Sequence, residues 1–498
     1  MRAVAILRLL ALLPLLAATA AAHVGSPTVF FEGMAGPHQL RVVVRPPGVV
    51  PGLAEISVRV LNGTPTRVTA LPVRWDVGTK GAPSPDVLQP VRGDTNHFSG
   101  ELWLMTLGSY SLFVEVEGAN GQGTTVVPLN SIATGTATMP RAFGGGLLAF
   151  AAFLLLALVT LVGAAVREST LLPGVAPDGR RRIGGAIAVV VAFLVSTTLL
   201  WGGHKWWGAV DSEYRNNKLY KSDPMETEIR VDGDRRMLRL ERSEGRWGKR
   251  PLIPEHGKLM HAFLIRSNDM NGFAHIHPAP NARNVFESIL PPLPEGDYHL
   301  YADVTHESGF TQTLVSRVHL APTGAKLHAV PLNDADDSWH VGGPAPDGLP
   351  LPLPFKAVSA VLENAHMVWR LPETLTADTE VTLKFQVLGT NNTPVALEPY
   401  MGMQAHAVIQ RDDGSVFTHL HPFGTVSMAA QQRFVKRERE VAPNRRTLDI
   451  VCGLPSEDQS ITFPYAFPKP GRYRIWVQVK IDGAIQTGVF DANVGAKS

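Results

Sequence analysis

Two segments of this 498-residue chain carry the same set of metal-ligating side chains. One is HGKLMHAFLIRSNDMNGFAHIHP, residues 256 to 278. The other is YMGMQAHAVIQRDDGSVFTHLHP, residues 400 to 422. Each has a histidine with methionine nearby, an apolar stretch, a polar turn, and then Phe-x-His-x-His-Pro. Residues two apart on a strand share a face, so His275 and His277 point one way, and so do His419 and His421. Closing each hairpin over its turn, SNDMN or DDGS, sets His261 opposite His277 and His406 opposite His421. Directly opposed side chains start from Cβ atoms about 4.5–5.5 Å apart, so three imidazoles converge on one face, twice.

Imidazole suits copper, zinc and nickel, and thioether sulfur favours Cu(I). Met260 adjoins the first set, and Met401 and Met403 adjoin the second. The expectation is one metal ion per hairpin: His261, His275, His277 and Met260 in one, His406, His419, His421, Met401 and Met403 in the other. Copper is the favoured metal and zinc the alternative. The competing reading, strand histidines that only hydrogen-bond or face water, is weakened by the repeat and its matched cross-strand partners.

A further histidine lies near the N-terminus. Arg2 and Arg8, an apolar run through Leu16, and Ala20-Ala21-Ala22 read as a signal peptide over residues 1–22. Cleavage there leaves His23 first in the mature chain, where its α-amine and Nδ1 can chelate one ion together. The amine's ordinary pKa of about 7.7–8 lets a metal displace its proton. His97, with Asp94 close in sequence, is the candidate companion ligand.

These residues need strands to position them. LGSYSLFVEVEGANGQGT, EGDYHLYADVTHESGFTQT and PGRYRIWVQVKIDGAIQT share a Gly-x-Tyr followed by apolar alternation, a polar turn and a second strand, which marks strand hairpins. Tyrosine at the start of a late strand is a feature of β-sandwiches. The expected fold is mainly β: three immunoglobulin-like antiparallel sandwiches over residues 23–135, 225–325 and 355–498, with a Pro-rich linker at 340–354. No long amphipathic helix is expected within them. Two apolar runs, 145–166 and 183–203, are near the roughly 20 residues needed to span a bilayer. The loop between them, 167–182, holds Arg167, Arg180, Arg181 and Arg182, and the positive-inside rule places it in the cytoplasm. Both large soluble regions then face outward.

Composition narrows the function. Charged residues are 18% of the chain, and the 46 basic and 44 acidic residues nearly cancel, which excludes an electrostatic footprint for nucleic acid. The single cysteine, Cys452, rules out a disulfide framework within one chain. It reads as a buried strand residue. There is no catalytic triad, nucleotide-binding loop or carboxylate pair.

The segments HGKLMH…FAHIHP and YMGMQAH…FTHLHP, each followed by a Gly-x-Tyr hairpin, resemble the YtkA-like domains of exported bacterial proteins. Those belong with FixH-like and CopC-like immunoglobulin-like modules associated with copper handling. The resemblance covers roughly residues 230–325 and 360–495, and is weaker over 23–130. It implies His23 and His97 as CopC-type copper ligands, with Asp94 as a further candidate. The function expected on these grounds is non-enzymatic: a bacterial inner-membrane protein, its soluble parts in the periplasm, binding copper for delivery, buffering or resistance. Its partners would be the metal, the membrane and another envelope or copper-handling protein. A scaffold with structural histidines is the alternative, and a copper oxidase the remote one.

Overall fold

The computed structural model describes residues 23–24, 28–232, 235–242, 251–282, 284–322, 334–342, 357–362, 365–370, 374–441 and 458–497. The expected signal peptide, Cys452 and residues 343–356, most of the Pro-rich linker, lie outside them. The fold is mainly β, built of antiparallel two-sheet sandwiches, with two long apolar helices.

In the first module, Val29–Ala35, His38–Arg45, Gly52–Val60, Asp94–Leu104 and Gln89–Val91 form one sheet. Gly121–Ser131, Gly108–Gly118, Pro65–Arg74 and Asp86–Val87 form the other. Alternating residues such as Val42, Ile56, Leu102, Leu112 and Val114 fill the core between them. In the second module, Met225–Asp232, Arg235–Arg242, Val285–Ile289 and Ala279–Ala282 face a sheet ordered Leu252–Ile253, Gly296–His306, His261–Arg266, Gly272–Ile276, Ser338–Val341. Thr311–Leu320 pairs beside Gly296–His306. His340 and Val341, placed in the linker by the sequence reading, are thus strand residues of this sheet. The third module pairs Ala357–Leu362, Ala365–Arg370, Glu380–Gly389 and Ile461–Ala466 in one sheet. Its other sheet runs His23–Val24, Val416–Leu420, His406–Arg411, Gly471–Ile481, Ala484–Val494.

The repeated Gly-x-Tyr has a backbone cause. Gly108, Gly296 and Gly471 sit at φ of 126°, 131° and 136°, a region only glycine enters freely. Two residues on, Tyr298 donates to the Pro294 carbonyl (2.7 Å) and Tyr473 to the Lys469 carbonyl (2.6 Å). These are tyrosine corners. Replacing Tyr473 with phenylalanine is expected to cost about 1 kcal/mol, the net worth of one such hydrogen bond; denaturant unfolding measures it.

Against expectation, the third module also contains an amphipathic helix, α3, Met428–Val441. Its N-terminus is capped: the Ser427 hydroxyl oxygen accepts from the Ala430 amide (3.1 Å). Ala430, Phe434 and Val435 share a face and pack on Leu71, Val73, Phe113 and Val126 of the first module, so the helix is stabilised by burial rather than by its charged C-terminal half.

The two apolar helices form a separate unit. Helix α1 spans Arg141–Glu168 and α2 spans Gly179–Glu213. Both are long and apolar enough to cross a membrane, with mean hydropathies of 2.7 and 2.4 over their most apolar windows. Leu148, Phe153, Leu161, Leu199 and Trp201 are exposed along them. The helices approach closely at Gly163, where an added Cβ would lie 2.4 Å from Val189 Cγ2. Asp178 caps α2 by accepting from the Arg181 amide (2.8 Å).

Candidate metal centre

Strand register places the histidines. Ala262 pairs with Ile276 and Ala407 with Leu420, so one step further His261 stands opposite His277 and His406 opposite His421. Alternation sends Ala262, Leu264, Ala274 and Ile276 into the second module's core and His261, Phe263, His275 and His277 to the outer face of the sheet. That outer face is not solvated. It packs on the corresponding face of the third module, through Phe263, Ile265, Phe273 and Tyr301 against Val408, Phe417, Trp476 and Val489. The packing is pseudo-two-fold: Phe273 stacks on Trp476 (4.9 Å, 11°), and Tyr301 on Phe417 (3.9 Å, 9°).

The consequence is one group of histidines where two were expected. His261, His275 and His277 meet within their own module at ring-centroid distances of 4.7–5.5 Å. His406, His419 and His421 do so at 4.8–5.3 Å. The two sets also abut: His261 and His275 each lie 5.6 Å from His419. His256 enters from the second module, 5.5 Å from His406 and 5.2 Å from His421.

Five of the six hairpin imidazoles have one nitrogen hydrogen-bonded to an oxygen at the rim. His261 Nε2 donates to the Glu255 carbonyl (3.2 Å), His275 Nδ1 to Gln478 Oε1 (2.8 Å), and His277 Nδ1 to Asp337 Oδ1 (2.9 Å). In the third module His406 Nε2 donates to the Tyr400 carbonyl (3.3 Å) and His421 Nδ1 to the Val426 carbonyl (3.2 Å). His419 Nδ1 lies 3.5 Å from Asp303 Oδ2. Oxygen acceptors fix the proton on those nitrogens, so the opposite nitrogen of each neutral ring carries a lone pair. The lone pairs of those five hydrogen-bonded rings therefore point inward. Gln478 and Asp303 each serve the other module's histidine, so the arrangement depends on the two modules being joined.

Lone pairs facing one another repel. His261 Nδ1 lies 3.2 Å from His275 Nε2, and His406 Nδ1 lies 3.2 Å from His419 Nε2. Two nitrogens bound at about 2.0–2.1 Å to one tetrahedral ion stand roughly 3.3 Å apart, which is close to both spacings. A shared proton is the other way to relieve the contact. Burial works against it, holding His261, His275, His406 and His419 well below the ordinary histidine value, with neighbouring imidazoles adding to the effect. Burial likewise lowers His256 to about 4 and His421 to about 3. His256, His277 and His421 each hold a buried Nε2 with no hydrogen-bond partner among the described residues. The ligand atoms of each triad all lie within 4.8 Å of one another.

The other expected ligands fare differently. Met260 precedes His261 and so takes the opposite face, deep in the second module's core. Met403 packs with Phe423 and Val426 in the core of the first module. Both are corrections with the same cause: a thioether beside a strand histidine alternates away from it or is drawn into apolar packing. Met401 is half-buried in a turn at φ 50°. His97 Nε2 is 2.7 Å from the Ser57 hydroxyl, and Arg59 donates to its Nδ1 (3.3 Å) while also pairing with Asp94. A guanidinium there disfavours a second cation. His23 and Val24 add a short parallel strand to Val416–Leu420 in the third module, on a different sheet from His97; the His23 side chain is outside the described ones. Sequence reasoning missed Asp337, Asp303 and Gln478, whose contacts span 60 to 203 residues.

A family described as Domain of unknown function (DUF8832) matches residues 360–496, the third module. No curated protein matches the sequence. Among solved structures, the chain is similar to a tetra-tandem repeat from the extending region of a large adhesion protein, at 8% identity and TM-score 0.15, covering 89% of this chain and 71% of that one. An ICAM-5 D1–D4 ectodomain fragment aligns at 7% identity and TM-score 0.15, covering 90% and 74%. Trypsin-activated alpha-2-macroglobulin from Escherichia coli aligns at 10% identity and TM-score 0.17, covering 94% and 35%.

Proposed function

We propose that this chain is a membrane-anchored protein of the bacterial cell envelope that binds metal ions in a centre shared by its second and third modules. The observation that carries the reading is the set of six converging imidazoles, five of them with the inward lone pair fixed by a hydrogen bond to an oxygen at the rim. Orienting acceptors of that kind are what metal-bound imidazoles use. An all-imidazole, cysteine-free donor set takes Cu(II) most tightly of the first-row divalent ions, above zinc. Copper delivery, buffering or resistance follows as the role, with another copper-handling envelope protein as partner. The sequence resemblance of the two hairpins to YtkA-like modules suggests the same role. With Met260 and Met403 in apolar cores, neither supplies a thioether ligand to favour Cu(I).

The arginine-bearing loop between α1 and α2 would be cytoplasmic and both soluble parts periplasmic. A reporter fused at Asp178 should signal from inside; an external signal contradicts the topology.

Titration of the purified chain with Cu(II) and Zn(II) tests the function. Two equivalents bound, copper tighter, is the expected result. No bound metal would return the histidines to an interface role. Asp337→Asn, which removes the carboxylate from His277 Nδ1, is expected to weaken binding by about 10–100-fold, the usual cost of losing an orienting acceptor.

A further inference from the structure

The two halves of the centre differ at one position. The turn before each first histidine is built alike: Glu255-His256-Gly257-Lys258 and Tyr400-Met401-Gly402-Met403. Each closes with a backbone pair between its first and fourth residues. His256 and Met401 share φ 50°, and Gly257 and Gly402 follow at 83° and 78°. His256 is therefore the positional counterpart of Met401, and the pseudo-two-fold is broken there.

His256 does not complete its own module's triad. Its ring is 6.1 Å from His261 but 5.5 Å from His406 and 5.2 Å from His421. Its side chain is 3% exposed, and its Nε2 has no hydrogen-bond partner among the described residues. The nearest ion-pairing atom is Glu255 Oε1 at 3.5 Å. Ligand atoms of Glu255, His256 and His421 lie within 4.8 Å of one another. Glu255 is itself held at the start of α3: the Met428 amide donates to Oε1 (2.7 Å) and the Ala429 amide to Oε2 (3.3 Å). The Ser427 and Thr305 hydroxyls donate to Oε2 as well. That fixes the carboxylate and the turn carrying His256.

We infer that the centre holds two unequal metal ions: a closed one bound by His406, His419, His421 and the crossing ligand His256, and an exchangeable one bound by His261, His275 and His277. Four imidazoles fill the four strong positions of a Cu(II) or Zn(II) ion, whereas three leave one position for water or for a transfer partner's ligand. The closed ion also joins the modules, since its ligands come from both. This rests on the metal-binding reading above.

The test is release of copper(II) from the fully loaded, full-length chain to excess EDTA. Wild type should release one equivalent fast and one slowly. His256→Asn keeps the φ 50° turn, because asparagine tolerates positive φ, and should still bind two equivalents while its slow phase accelerates about tenfold or more. His256→Met, which copies the residue at 401 into the equivalent turn, should behave the same way. Met401→His should slow the fast phase. Single-phase release of two equivalents from wild type, or a slow phase untouched by both His256 variants, overturns the inequality while leaving metal binding intact. A wild type that binds no copper overturns the metal-binding reading and this inference with it.

Discussion

Saturating copper(II) is expected to raise the thermal midpoint of the second and third modules by roughly 15–30 °C. A ligand bound only by the folded state adds about 4 kcal/mol when free ligand is a thousandfold above its dissociation constant. Two ions therefore add roughly 8 kcal/mol, and a folding unit of this size gains about 2–4 °C for each. The effect is large because the donors come from both modules: Gln478 orients His275, and Asp303 lies beside His419. Unfolding either module dismantles the site. The variant His275→Ala with His419→Ala removes a ligand from each half and should lose most of the shift. Scanning calorimetry with and without metal measures this. An identical midpoint in both conditions contradicts the account.

Without metal, the same residues should make the protein acid-labile well above the range where carboxylates titrate. His256 is lowered to about 4 and His421 to about 3, mainly by burial, against an unfolded value of about 6.5. The unfolded chain thus binds protons that the folded chain refuses. Stability is complete above pH 6.5 and falls as pH drops below it, by about 1.4 kcal/mol per pH unit for each such imidazole. Two of them remove roughly 3 kcal/mol per unit, or about 4 kcal/mol by pH 5, a large part of an ordinary protein's stability of about 5–15 kcal/mol. His261, His275, His406 and His419 shift in the same direction. Urea unfolding of the metal-free chain at pH 7.5, 6.5 and 5.5 reads the slope. A flat profile between 6.5 and 5.5 would mean that the imidazoles are not held neutral.

Much of this was legible in the sequence because period-two alternation is local. The Gly-x-Tyr hairpins, the opposition of His261 to His277 and of His406 to His421, and the sandwich class all follow from spacing within some twenty residues. The union of the two hairpins is not local. It depends on the outer faces of two sheets burying Phe263, Phe273, Phe417 and Trp476 against each other, and apolar residues on both faces of a strand do not name their partner. The destination of His256 was hidden for the same reason, since its neighbours in sequence belong to the other half. The placement of Met260 was readable, as adjacent strand residues face opposite ways. Helix α3 also left a signal: Ser427 as cap, then Ala430, Phe434 and Val435 at helical spacing, masked by its charged second half.

The central claim is that one histidine centre, shared by two modules, holds metal. Anomalous diffraction at the copper edge from crystals of the copper-loaded chain tests it most directly. The account predicts two peaks among His256, His261, His275, His277, His406, His419 and His421, the second bounded by ligands from both modules. Copper peaks elsewhere on the chain, with none among these seven rings, would contradict it.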